Sequence, residues 1–179
     1  MGVNLRGLTN PVKISLNHLS GRIVAVDAHN TLYQFLSIIR GEAGDHLVDK
    51  EGRVTSHLSG LFYRNIKLLE LDIKPIYILD GIPSLLKTKE IQRRRTVKQK
   101  ANNLYTEAIA RGDIILAKKY AQSTTHLKKY MINDTKRMLD LMGIPWIEAK
   151  SEGEATAAYL TNIGVATDTV SQDFDALLF

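Results

Sequence analysis

The sequence predicts an α/β fold, with a mostly parallel central sheet flanked by helices. Three observations carry that expectation. Short apolar runs rich in Val and Ile alternate with longer segments whose apolar residues recur at helical spacing. The first run is β-branched and continuous, as in a strand buried on both faces. Strands alternating with helices favour a parallel sheet between helical layers.

Residues 22–28 read as the first strand, and 30–40 as a helix with Leu32, Phe35, Leu36 and Ile39 on one face and Asn30 as its cap. Residues 41–53 are polar and turn-rich, so they are expected to form a loop. A second helix is expected over 55–71, with Leu58, Leu61, Phe62, Ile66 and Leu69 facing inward. Residues 74–79 form the next strand, opened by Pro75 and closed by Asp80-Gly81. Two long, charged helices are expected over 87–110 and 113–141, separated by Arg111-Gly112. Residues 144–148 form a short strand. Ser151 is expected to cap a helix running to about residue 162, with Glu154 completing a capping box. The last strand is expected at 169–172.

A chain of 179 residues can bury a real core, and the whole of 1–179 is expected to be one domain. There are no cysteines, which excludes disulfides, thiolate zinc sites and cysteine nucleophiles. No apolar run approaches membrane-spanning length, so no membrane partner is expected. The first ten residues lack a signal-peptide core, and Arg6 breaks the myristoylation pattern. The net charge of +5 is unevenly spread. Residues 87–137 hold fourteen Lys and Arg against four acids, whereas the remainder is net acidic. The basic part can attract a polyanion, and the acidic part would repel a bare phosphate.

That acidic part contains the chemistry. Four motifs hold six carboxylates: Asp27 in IVAVDA, Asp80 in PIYILDG, Glu152 and Glu154 in SEGEA, and Asp173 and Asp175 in VSQDFD. Ligands of open α/β sheets gather beyond the carboxyl ends of strands, where Asp27, Asp80 and the Asp173/Asp175 pair are expected. On an extended backbone Asp173 and Asp175 would face the same way. Six acids in one place cannot all stay ionised without cations between them. The economical reading is a site for hard divalent ions, Mg²⁺ first and Mn²⁺ as an alternative. Two such ions, roughly 3.5–4 Å apart, would suit phosphodiester hydrolysis. No G-x-S-x-G, HExxH or P-loop lysine offers another chemistry. Singly, each acid has a plainer role as a turn, cap or solvated residue. The argument rests on their joint delivery to one edge.

The runs GRIVAVDAHNTLYQFL, PIYILDGIPSLLK, SEGEATAAYL and SQDFDALLF resemble the flap endonuclease family of structure-specific 5′ nucleases, most closely its archaeal members. The resemblance covers nearly the whole chain, in order. It implies a PIN-like 5′-nuclease fold with a helical arch over residues 83–137. It also implies two metal ions held by Asp27, Asp80, Glu152, Glu154, Asp173 and Asp175. Hydrolysis would fall at single-strand/double-strand junctions of branched or flap DNA, leaving a 5′-phosphate. Lys87 and Arg94 match positions that contact the scissile phosphate, and their seven-residue spacing places them on one helical face. Tyr33 matches a residue that stacks on a nucleotide, with core packing as its plainer role. Arg40 matches one near template DNA, with a C-terminal helix charge as its plainer role. Gly2 matches a terminus lying close to the active site. His29 stands where the family usually has Ser, and no special role is expected of it.

The resemblance further implies a helix–two-turn–helix module, one more metal-ligand aspartate and a sliding-clamp motif, all beyond Phe179. This chain is therefore expected to be an N-terminal portion, weak or inactive alone, of an intracellular, cytoplasmic and nucleoid-associated protein. Two alternatives stay open at this stage: a PIN-type ribonuclease, and a non-catalytic DNA-binding fragment. The basic 87–137 segment and the LYQFL and DFDALLF runs speak against the ribonuclease.

Overall fold

Four strands form one parallel sheet in the order β3-β2-β1-β4: β1 (Ile23–Asp27), β2 (Lys74–Leu79), β3 (Trp146–Glu148) and β4 (Asp168–Val170). The helices are α1 (Ala28–Ile38), α2 (Ser56–Glu70), α3 (Thr88–Ala110), α4 (Lys129–Leu141) and α5 (Gly153–Asn162). Two 3₁₀ turns, Leu16–Leu19 and Phe174–Leu178, are also present. The structure, a computed structural model, describes residues 7, 9–41, 45–82, 88–113, 115–116, 119–120 and 126–179, without the side chains of 88–91, 94, 95, 98 and 175.

Strand periodicity sorts the core into two layers. Val24, Val26, Tyr77 and Leu79 pack on one face with Leu32 and Phe35 of α1, Leu61 and Leu68 of α2, and Leu139 of α4. Ala25 and Ile78 face the other way, against Ala157 and Leu160 of α5. The second layer is built largely of alanine, which lets α5 lie close to the sheet. The α/β class and the parallel sheet match the expectation from the sequence.

The element ends differ, for identifiable reasons. β1 stops at Asp27 and α1 starts at Ala28, with no intervening loop. Asp27, not Asn30, is the cap, because its carboxylate accepts the Asn30 N–H at 3.0 Å. β3 begins at Trp146 rather than 144, since Pro145 has no N–H for a ladder. Its carbonyl instead receives the Tyr77 N–H at 3.0 Å. The helix expected over 113–141 is not continuous. Lys128 is extended, with φ −88° and ψ 154°, and regular helix resumes at Lys129. β4 spans Asp168–Val170, earlier than expected.

Candidate active site at the carboxyl edge of the sheet

Register fixes where the acids lie. Asp27 pairs with Ile78, so Asp80 extends two residues further along β2. Val26 pairs with Val170, which places Asp173 beyond the same edge on the other side of β1. The parallel ladder therefore delivers acids from three distant parts of the chain to one end.

Asp27 is the innermost, at 5% exposure. Burial pushes its carboxyl above the usual carboxylate range. The Asn30 N–H opposes that shift, and the nearby Asp80 and Asp173 add to it. Asp80 is more open, with its side chain 45% exposed. Its Oδ1 accepts the Gly153 N–H at 2.7 Å, and its own N–H donates to His29 Nδ1 at 3.0 Å. Asp173 caps the last 3₁₀ turn, and its Oδ2 accepts from Asn30 Nδ2 at 3.1 Å.

The Gly153 bond explains why the expected capping box is not formed. The cap of α5 is Glu152, not Ser151, and its side chain does not close the helix. The first helical N–H is satisfied by Asp80, so no hydroxyl is needed there. Glu152 and Glu154 flank this first turn, where the helix dipole favours negative charge. Gly153 leaves the room for it: a Cβ there would lie 3.0 Å from Asp80 Oδ1 and 3.3 Å from the Ile78 carbonyl oxygen. A Cβ on Gly81 would collide with the Ala149 carbonyl.

The other expected site residues fare unevenly. Asp173 and Asp175 do not share an extended backbone, because Asp175 lies inside the turn Phe174–Leu178. The Asp175 side chain, the Arg94 side chain, Lys87 and Gly2 lie outside the described residues. Tyr33 is on α1 and 36% exposed, so it is not a core residue. Arg40 Nε donates to the Ser37 carbonyl at 3.2 Å, the helix-end role foreseen as its plainer one. Sequence reasoning missed His29, Asn30 and Gly153 as connectors between the acids. Only Gly153, inside an acid-flanked motif, carried a signal for it.

Among the described residues, no three His, Cys, Asp or Glu side chains stand close enough together to enclose a metal ion. Neutral donors from Asn30 and Gly153 sit between the acids instead. That suits an ion held by a few carboxylates plus water and phosphate oxygens, as Mg²⁺ is, rather than an all-protein cage. The donors are hard oxygens, and the like charges around Asp27 would be relieved by a cation. The residues fit the ion in chemistry. A groove of about 510 Å³ beside α5 and β4 is lined in part by Asp173.

The comparisons with known proteins agree with this geometry. The XPG N-terminal domain matches residues 1–101, and the XPG I-region matches residues 143–179. Flap endonuclease 1 of Nitrosopumilus maritimus is 53% identical over 178 residues, covering 99% of this chain and 52% of that protein. Among solved structures, flap endonuclease-1 from Methanococcus jannaschii is 45% identical with a TM-score of 0.73, over 99% of this chain and 56% of that one. The catalytic core of Rad2, solved in complex with DNA substrate, is 28% identical with a TM-score of 0.66, over 92% and 43%. The chain thus spans about half the length of the curated relatives it matches. With the N-terminal domain alone accounting for more than half of its residues and the I-region supplying the remaining acidic motifs, the chain belongs to the XPG family, among whose members its relatives are flap endonucleases.

Proposed function

We propose that this chain is the nuclease region of a metal-dependent, structure-specific 5′ flap endonuclease. The observation that carries the reading is the meeting at a single sheet edge of Asp80 and Asp173, remote in sequence, each within electrostatic reach of Asp27. Asp27, Asp80, Glu152, Glu154, Asp173 and Asp175 are the proposed metal ligands. One or two Mg²⁺, with Mn²⁺ as an alternative, would supply Lewis-acid chemistry for phosphodiester hydrolysis there. The protein's part is positional. Asn30 and Gly153 hold the acids apart and in place, while burial keeps Asp27 poised for a cation.

The basic segment supplies the attraction for branched DNA. Residues 83–137 are assigned to an arch, with Lys87 and Arg94 facing the scissile phosphate and Tyr33, Arg40 and Gly2 near the substrate. Tyr105, on α3, acts electrostatically on Arg40, which supports that helix standing near the end of α1. The expected setting is replication and repair inside the cell, with a sliding clamp as a partner of the longer relatives.

The test is cleavage of a 5′-flap substrate with and without Mg²⁺, comparing residues 1–179 with a chain extended to the length of the relatives. Asp80→Ala should lower cutting by the extended chain about 100-fold or more, the upper end of what lost support behind a metal ligand costs. An extended chain that binds the flap but cuts with neither Mg²⁺ nor Mn²⁺ would overturn the reading. Cutting of single-stranded RNA in preference to flap DNA would replace it with a ribonuclease.

A further inference from the structure

We infer that His29 is a positioning residue for Asp80, whose main-chain N–H it accepts through Nδ1. Its consequence for cation binding rests on the proposed function, but its geometry does not.

Two distances converge on one nitrogen. The Asp80 N–H reaches His29 Nδ1 at 3.0 Å, and Asp80 Oδ2 lies 3.5 Å from the same atom. One nitrogen cannot accept the N–H and donate to the carboxylate at once. The shorter contact is of ordinary hydrogen-bond length, and the longer one lies outside that range. Nδ1 is therefore the bare nitrogen and the ring proton sits on Nε2. An ion pair between His29 and Asp80 would require the opposite arrangement.

The fold explains why Asp80 needs this partner. Asp27, the last residue of β1, pairs with Ile78, so the Asp80 N–H falls past the end of the ladder. A main-chain donor at that point needs an acceptor from elsewhere. His29 supplies it from the first turn of α1. Gly153, in the first turn of α5, holds Oδ1 of the same residue. Two helices on opposite faces of the sheet thus fix the main chain and the carboxylate of Asp80 independently. Residues behind a metal ligand set its orientation in this way.

Three variants separate the nitrogens. Asn places its amide oxygen where Nδ1 sits, Gln places its own where Nε2 sits, and Leu offers neither. Mn²⁺ binding to residues 1–179, followed by electron paramagnetic resonance, should weaken about tenfold in His29→Leu and His29→Gln and stay within about threefold of wild type in His29→Asn. In wild type at pH 8, ¹⁵N resonances should show Nδ1 unprotonated and Nε2 protonated. A proton on Nδ1, or an Asn variant as weak as the Leu variant, would overturn the inference. Should His29→Leu fail to fold, the Asn and Gln pair still decides. Should residues 1–179 bind no Mn²⁺, the binding comparison gives no readout. The tautomer and the relative melting points of the Asn and Gln variants then decide the His29 inference alone.

Discussion

The carboxyl edge and the interior beneath α2 both carry polar groups where apolar ones would be more stable, yet they handle them in opposite ways. At the edge, charged acids sit in a gradient from the 5% exposed Asp27 to the open Asp80. Each of Asp27, Asp80 and Asp173 accepts a hydrogen bond from a neutral donor. Beneath α2, His57 and Asn65 together with Thr135 of α4 are fully buried. Asn65 Oδ1 accepts from the Tyr77 hydroxyl at 2.8 Å. Both ring nitrogens of His57, Nδ2 of Asn65 and Oγ1 of Thr135 are buried without a hydrogen-bond partner among the described residues. An ion pair between Arg53 and Asp134, at 2.6 Å, flanks the cluster. The difference is one of access. Charge survives where water and cations can reach it, and the interior must stay neutral.

The largest expected difference is in the response to acid. Burial pushes the His57 imidazole down to about 4 from 6.5; Asp134 opposes the shift, and Arg53 and His46 add to it. Between those values the unfolded chain binds the proton and the folded chain does not. Stability is therefore full above pH 6.5 and falls as pH drops toward 4, by about 3 kcal/mol over the window. Urea denaturation across that range should show the slope, and His57→Phe should flatten it. An unchanged slope in the variant would mean that His57 takes up its proton in place, and the contrast between the two regions would collapse.

A smaller effect of opposite character is expected at the edge. The folded Asp27 carboxyl holds its proton more tightly than the unfolded one, so its ionised form costs stability at neutral pH. Asp27→Asn keeps the cap, since Asn accepts the Asn30 N–H equally well, but removes the charge. Without cations the variant should be more stable by on the order of 1 kcal/mol, as replacements at strained functional sites often are. With Mg²⁺ at about 100 times its dissociation constant, wild type should gain about 2.7 kcal/mol and the variant much less. Thermal melts with and without Mg²⁺ decide it. An equal gain in both proteins would remove Asp27 from the cation site.

How far the sequence foretold these regions depends on how local the cause is. Alternating apolar runs are a local signal, and they placed β2 at its observed bounds. The acids of the edge were legible because parallel pairing sends strand ends to one side. What could not be read was which donors lie between them. His29 and Gly153 meet Asp80 only through sheet register and helix placement, neither of which a linear pattern encodes. The Glu154 capping box failed for the same reason: the competing acceptor for the first N–H came from Asp80, remote in sequence. The extended backbone expected over 173–175 gives way to a tight turn because β4 ends at Val170, earlier than expected. The buried cluster escaped notice entirely, since His57 and Asn65 lie on a helix whose inner face was judged by its apolar residues alone.

The smallest expected effect tests how dry that cluster is. Thr135 Oγ1 has no protein partner among the described residues, and Val has the same shape without the hydroxyl. The two residues differ little in helix propensity, so the backbone of α4 contributes little to the comparison. If the hydroxyl is unpaired, Thr135→Val should raise stability by about 1 kcal/mol and leave the Mg²⁺ response unchanged. A loss of similar size would instead place a buried water on Thr135 Oγ1, since a buried polar site can hold one. In that case the interior would resemble the edge after all, with water standing where the edge has Asn30 and Gly153.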